Sequence, residues 1–207
     1  VAYDLTTLLT DFYARGFDFM NDGSTATARA TRFINQAIHE IDGAYDWPYT
    51  LTSTTGTAPL TISDLRKVQT VQDQTNNNFY LLPDTAQVLK DAYGDLSYAG
   101  TPQIFYFTGQ TTISVYPAST SATLLVTYWK VGADLSSGLD TPLMPDRWRS
   151  IIVDLAAAKA FRESNVPDEA NLALQEYQRK LQLMAGELLD PQGAANQHIK
   201  QTYARNF

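Results

Sequence analysis

The sequence has no cysteine, which removes disulfide frameworks, zinc knuckles, thiol catalysis and iron–sulfur ligation. Histidine is almost as scarce. His39 and His198 are the only two, so no multi-histidine metal site forms within one chain. Charged residues make up 18% of the chain, with a net charge of -7. A protein that grips DNA by neutralising phosphates carries a basic face instead. No apolar run approaches the ~20 residues of a membrane-spanning helix. Val1-Ala2-Tyr3-Asp4 shows neither the basic region nor the apolar stretch of a signal peptide. The expectation is a soluble acidic protein made in a cytoplasm-like compartment. Its 207 residues, 44% hydrophobic and 12% aromatic, suit one large domain or a domain with a sizeable insertion.

Glutamate is missing from residues 41–162; all five lie at Glu40, Glu163, Glu169, Glu176 and Glu187. Glutamate favours helices and is depleted in strands, which predicts a β-rich middle between helical ends. Asp4 caps a first helix whose Leu5, Leu8, Leu9 and Phe12 follow one helical face. After the turn residues Asn21-Asp22-Gly23-Ser24, a second helix carries Ala30, Phe33, Ile34, Ala37, Ile38, Ile41 and Tyr45 on one stripe. Gly43 and Pro48 bracket its end.

From Trp47 to about Lys130 the period is two. Strands are predicted around Leu51, Leu60–Ile62, Val68–Val71, Ile104–Phe107, Ile113–Tyr116 and Leu124–Trp129. Thr108-Gly109-Gln110-Thr111 predicts a two-residue type II′ hairpin turn with glycine first. Asp84-Thr85-Ala86-Gln87 resembles a capping box and predicts a short helix over 85–92. Beyond the middle, Pro145 opens a helix with Trp148, Ile151, Ile152 and Leu155 on one face. Pro167, Asp168 and Glu169 open another, in which Ala170, Leu174, Tyr177, Leu181, Met184 and Leu188 recur at three-four spacing until Pro191. The fold class is therefore α+β. Helix pairs at 1–46 and 141–190 form a four-helix bundle, residues 47–140 form a sandwich or barrel-like insertion of six or seven strands, and 191–207 form an extended tail.

Catalytic constellations are hard to build from these residues. Neither GxGxxG, GxxxxGK nor GxSxG occurs. A serine triad would have to use His39, beside an apolar stripe, or His198, in the irregular tail. Asp64, Asp73, Asp84, Asp91 and Asp95 mostly stand where aspartate bonds its own backbone at turns. Asp134, Asp140 and Asp146 are six residues apart and interrupted by Pro142 and Pro145, unlike a calcium loop. No catalytic residue, cofactor or metal is expected. Trp47, Tyr49, Tyr128 and Trp129 admit two readings, a sugar-stacking platform or packing at the seam of helices and sheet, and packing is the commoner use.

The order of landmarks resembles a known family. Phe33-Ile34-Asn35-Gln36-Ala37-Ile38-His39-Glu40-Ile41 precedes an aromatic-proline break, Tyr45-Asp46-Trp47-Pro48. Leu65-Arg66-Lys67-Val68, Gly100-Thr101-Pro102, Val115-Tyr116-Pro117 and Val126-Thr127-Tyr128-Trp129-Lys130 follow, and Pro142-Leu143-Met144-Pro145 opens the last helix pair. Over most of residues 25–190 this resembles the head-to-tail adaptor, or connector, proteins of tailed bacteriophages. The resemblance implies a non-enzymatic virion protein of the neck, made in the bacterial host cytoplasm. It implies a twelve-fold ring beneath the portal, with portal protein, neighbouring copies and a stopper or tail protein as partners. DNA would pass through the lumen without specific binding, and no membrane is involved. The alternative is a carbohydrate-binding or tail accessory module built on the aromatic residues, and a weaker option is a hydrolase using the scattered aspartates.

The tail adds a candidate binding segment. Ile199, Tyr203 and Phe207 recur every four residues, an anchor spacing suited to a groove. Lys200 and Arg205 supply the only Lys or Arg charge after Lys180. These five residues are expected to contact the portal or a neighbouring subunit; the alternative is that the tail packs back on its own bundle.

Overall fold

The computed structural model describes residues 3–17, 23–76 and 79–189. Among them the chain is mixed α+β, with five α-helices and two sheets. In order these are α1 (Leu5–Phe12), α2 (Ser24–Ala44), β1 (Leu51–Thr57), β2 (Leu60–Thr61), β3 (Leu65–Asp73), β4 (Phe79–Tyr80) and β5 (Leu82–Pro83). Then come α3 (Ala86–Tyr93), β6 (Ile104–Phe107), β7 (Thr112–Tyr116), β8 (Thr123–Lys130), α4 (Ser150–Glu163) and α5 (Pro167–Leu188). The chain divides into two compact units, one from the described residues up to Thr50 and from Gly132 onward, the other Leu51–Val131.

In the helical unit, α1 starts where an acceptor is available. The Asp4 carboxylate accepts the Thr7 N–H at 2.9 Å and its hydroxyl at 2.8 Å, satisfying a donor that the first turn leaves free. After Phe12 the helix widens into a π-helical turn, Tyr13–Phe17, broken at Gly16, whose φ of 101° suits glycine. α2 buries Ala30, Phe33, Ile34, Ala37, Ile38 and Ile41 as the stripe predicts. Tyr45, expected on that stripe, is instead the extended residue that follows the helix. Pro145 lies ahead of a single 3-10 turn, Asp146–Trp148, that leads into α4. Side chains of α1, α2, α4 and α5 share one core with Trp47, Leu135 and Met144. Buried alanines 156, 157 and 160 on α4 allow close helix approach. Along α5 the buried positions are Ala170, Tyr177 and Met184, spaced by seven. Leu174, Leu181 and Leu188 lie against the same core while partly exposed.

In the β unit one sheet runs β1-β8-β3-β4 and the other β2-β7-β6-β5. Ile62, Val71, Leu81, Phe105, Ile113, Val115, Leu124 and Val126 share its main core. The helix expected over 85–92 is α3, with the Thr85 hydroxyl accepting the Val88 N–H at 3.3 Å. Its Leu89 is buried with Tyr106 and Tyr116.

Three expectations are corrected. The sheets are not closed into a barrel, since β1, β4, β2 and β5 are all edges. Among the described residues they hold eight strands rather than six or seven, because β4 and β5 are two residues each, too short for an alternating pattern to register. The β6–β7 hairpin exists, with Phe107 opposite Ile113. Its turn is not type II′: the Thr108 N–H bonds the Thr112 carbonyl at 3.1 Å across a three-residue loop, and Gly109 does not take the positive φ that such a turn requires.

Candidate docking surfaces

Most charged side chains that could do chemistry are engaged in holding the fold. Asp154 lies in the wholly buried run Ile151–Ala158 of α4 and is itself fully buried. Arg15 meets it at 2.6 Å and Lys180 at 2.5 Å, so both cations converge on one buried carboxylate. The sequence carries a signal that the helical reading passed over: a lone acid inside an apolar helical run must find counter-charges or shed its own. Arg149 is also buried. Its guanidinium donates to the carbonyls of Met144 at 2.8 Å, Tyr3 at 2.9 Å and Pro142 at 3.0 Å. It thereby ties the segment before α1 and the Pro142–Pro145 loop to the start of α4.

The described residues weighed for metal or acid–base chemistry each have a local partner; His198 lies outside the described residues. His39 pairs with Asp134 at 2.6 Å on an exposed surface. Asp140 caps the loop before α4, and the backbone N–H groups of Ser137 and Ser136 hold its carboxyl below the ordinary carboxylate range. Asp146 pairs with Arg149 at 2.7 Å. On α4, burial alone would raise Glu163, but Arg29 and Arg32 outweigh it and lower its pKa.

The aromatic platform is not formed. Trp47 is fully buried and donates its ring N–H to the Ile41 carbonyl at 2.6 Å. Tyr49 stacks on it at 5.8 Å and donates to Asp42 at 3.0 Å. Tyr128 is buried in the other unit, its hydroxyl donating to Asp64 at 2.9 Å. Trp129 is half-buried beneath the Lys67 ammonium, 5.2 Å from the ring centre. Packing and hydrogen-bond anchoring account for Trp47, Tyr49 and Tyr128, and Lys67 lies over Trp129.

Burial first, then the Asp64 hydrogen bond, pushes Tyr128 up to about 12. Burial, with the charges of Glu40 and Tyr45 behind it, pushes Tyr177 up to about 12. Both folded values exceed the ordinary phenol value of 10, so the folded chain holds these protons more tightly than the unfolded chain. Their contribution to stability is fully present below pH ~10 and is lost as pH rises toward ~12. The unfolding temperature is expected to fall steeply in that window and less steeply in Tyr128→Phe and Tyr177→Phe variants. Equal slopes for parent and variants would contradict this.

The surface offered outward is aromatic and apolar. Phe79, Tyr80, Leu82, Val88, Tyr93 and Tyr98 are each 52–69% exposed and all fall within twenty residues of the β unit. Beside them is an open cleft of 350 Å³ lined by Tyr93, Tyr98, Gln103, Ile104, Tyr116 and Pro117. Tyr93 stacks on Tyr116 at 4.8 Å. Concentrations of exposed apolar surface of this kind mark interaction sites. The sequence reading predicts no strand over 79–82 and a helix over 85–92, and neither pattern says which of these side chains face outward. The anchors Ile199, Lys200, Tyr203, Arg205 and Phe207 lie outside the described residues.

Charges engaged in fold-holding pairs and apolar surface turned outward are the makeup of a structural chain that binds other proteins. The chain belongs to the SU10 adaptor protein family, a family of phage head-to-tail adaptors, whose model matches residues 5–202. No curated protein matches it. Membership makes it a structural virion component with portal and tail proteins as partners in general. Among the described residues, no helix is long and apolar enough to cross a membrane.

Proposed function

We propose that the chain is the subunit of a ring beneath the portal, twelve-fold like the rings that the resemblance implies. The ring extends the DNA channel and docks the stopper or tail protein below. The helix pairs 1–46 and 141–190 act as a four-helix bundle in the ring wall. The insertion 47–140, a sandwich-like pair of sheets, supplies contacts between proteins. The tail 191–207 docks on the portal or on a neighbouring copy through Ile199, Lys200, Tyr203, Arg205 and Phe207.

The observation that carries this reading is the family match across residues 5–202. The net charge of -7 supports it, because an acidic lumen lets DNA slide rather than stick. Counting copies in purified particles tests it. One copy per portal subunit is expected, and the isolated protein should not bind DNA at physiological salt. A copy number unrelated to that of the portal contradicts the ring, and submicromolar, salt-sensitive DNA binding contradicts the passive channel.

A further inference from the structure

Of the four sheet edges, three are two residues long: β4, β2 and β5. β1 is seven residues, Leu51–Thr57, and among the described residues it is bonded on one side only, to β8. Its register with β8 runs one-to-one from Leu51–Trp129 to Thr57–Thr123 with no bulge. Its sequence, Leu-Thr-Ser-Thr-Thr-Gly-Thr, contains no charge and no proline. Long edges are ordinarily blunted by lysine, proline, a bulge or a cover, because a bare edge recruits another strand. β1 has none of the first three.

The opposite edge of the same sheet is its counterpart. β4 presents Phe79 and Tyr80, both exposed. Neither edge carries charge, so two copies meet without repulsion. The strand directions decide how. β1–β8, β8–β3 and β3–β4 are all antiparallel, so β4 runs opposite to β1. When copies line up in one orientation, β4 of one meets β1 of the next in ordinary antiparallel pairing. That contact is head-to-tail and repeats, as a ring requires, whereas β1 against β1 makes a closed two-fold dimer.

We propose that β1 of one subunit pairs with the Phe79–Tyr80 edge of its neighbour, so that this sheet continues from copy to copy around the ring. The occupant of the bare edge is a second copy of this chain, and the proposal rests on the ring reading. Covering Phe79 and Tyr80 removes about 250 Å² from one side, or about 500 Å² in all. A stable free complex needs roughly 1,200–2,000 Å². A single contact is therefore too small to hold two free copies together, and the pairing forms where the portal aligns them.

The absence of cysteine makes the test direct. Thr55, Leu125, Gln72 and Tyr80 lie in one row across the sheet and so face the same side. Within one copy, Thr55 and Tyr80 are three strand spacings apart, about 14 Å, beyond the ~7 Å limit for a disulfide. The exposed residues Ser53, Thr55 and Thr57 are each changed to cysteine in a chain that also carries Tyr80→Cys. Each double variant is assembled with portal protein and oxidised. At least one should give a ladder of covalent multimers, with no ladder from the single variants. Portal-bound assemblies of normal mass that yield no ladder from any of the three pairs overturn the edge pairing and leave the ring standing. Covalent dimers from Thr55→Cys alone show β1 against β1 and also overturn it. Failure of the parent chain to assemble on portal at all removes the ring reading and this proposal together.

Discussion

Replacing Arg15 and Lys180 together by methionine is expected to lower the unfolding temperature by roughly 6–20 °C. The two cations lie 2.6 and 2.5 Å from the carboxylate of Asp154, which is fully buried on α4. Stripping a buried charge of its partners costs about 3–5 kcal/mol, and each kcal/mol is worth about 2–4 °C in a chain of this size. Either single substitution should cost less than half as much, because one counter-charge remains. Adding Asp154→Leu to the double variant should recover most of the loss, since an apolar replacement of a whole buried ion cluster is often neutral. Thermal unfolding followed by circular dichroism reads all of these. A double variant within ~2 °C of the parent, or a triple variant no better than the double, would sink the account of this cluster.

Deleting residues 192–207 is expected to abolish incorporation into particles while leaving the unfolding temperature nearly unchanged. The segment contains the four-residue recurrence Ile199, Tyr203 and Phe207, with Lys200 and Arg205 interleaved. Anchors at that spacing fill a groove on a partner, and paired cations add steering toward an acidic surface. Ordering such a segment costs about 1–2 kcal/mol per residue in backbone entropy, so the anchors have to recover that cost in contacts. Tyr203→Ala with Phe207→Ala should therefore reproduce most of the defect at full tail length. Normal incorporation of the truncated chain, or a fall of many degrees in its unfolding temperature, contradicts a docking role.

Where local chemistry and period agree, the sequence reads clearly. Asp4 with Leu5, Leu8 and Phe12 marks α1, Thr85 marks α3, and the alternation from Leu124 to Trp129 marks β8, because each pairs a cap or a strict period with burial on one face. β4 and β5 escape because two residues carry no period, and the hairpin turn escapes because a glycine at its first position fits more than one loop geometry. The barrel expectation fails for a related reason: strand count does not reveal which strands lie at an edge. Asp154 was legible in principle as a lone acid in an apolar helix, yet its partners Arg15 and Lys180 lie far away in sequence. The exposed set from Phe79 to Tyr98 has the composition of a core, and only its place on edge strands and on the outer side of α3 separates it from one.

The central claim, a ring subunit that assembles on the portal, is met most directly by native mass measurement of the purified chain with and without portal protein. The account predicts a monomer or weak association at micromolar concentration alone, and a single complex with one copy per portal subunit when portal is present. A tight dimer, or no portal-bound species at any ratio, contradicts it.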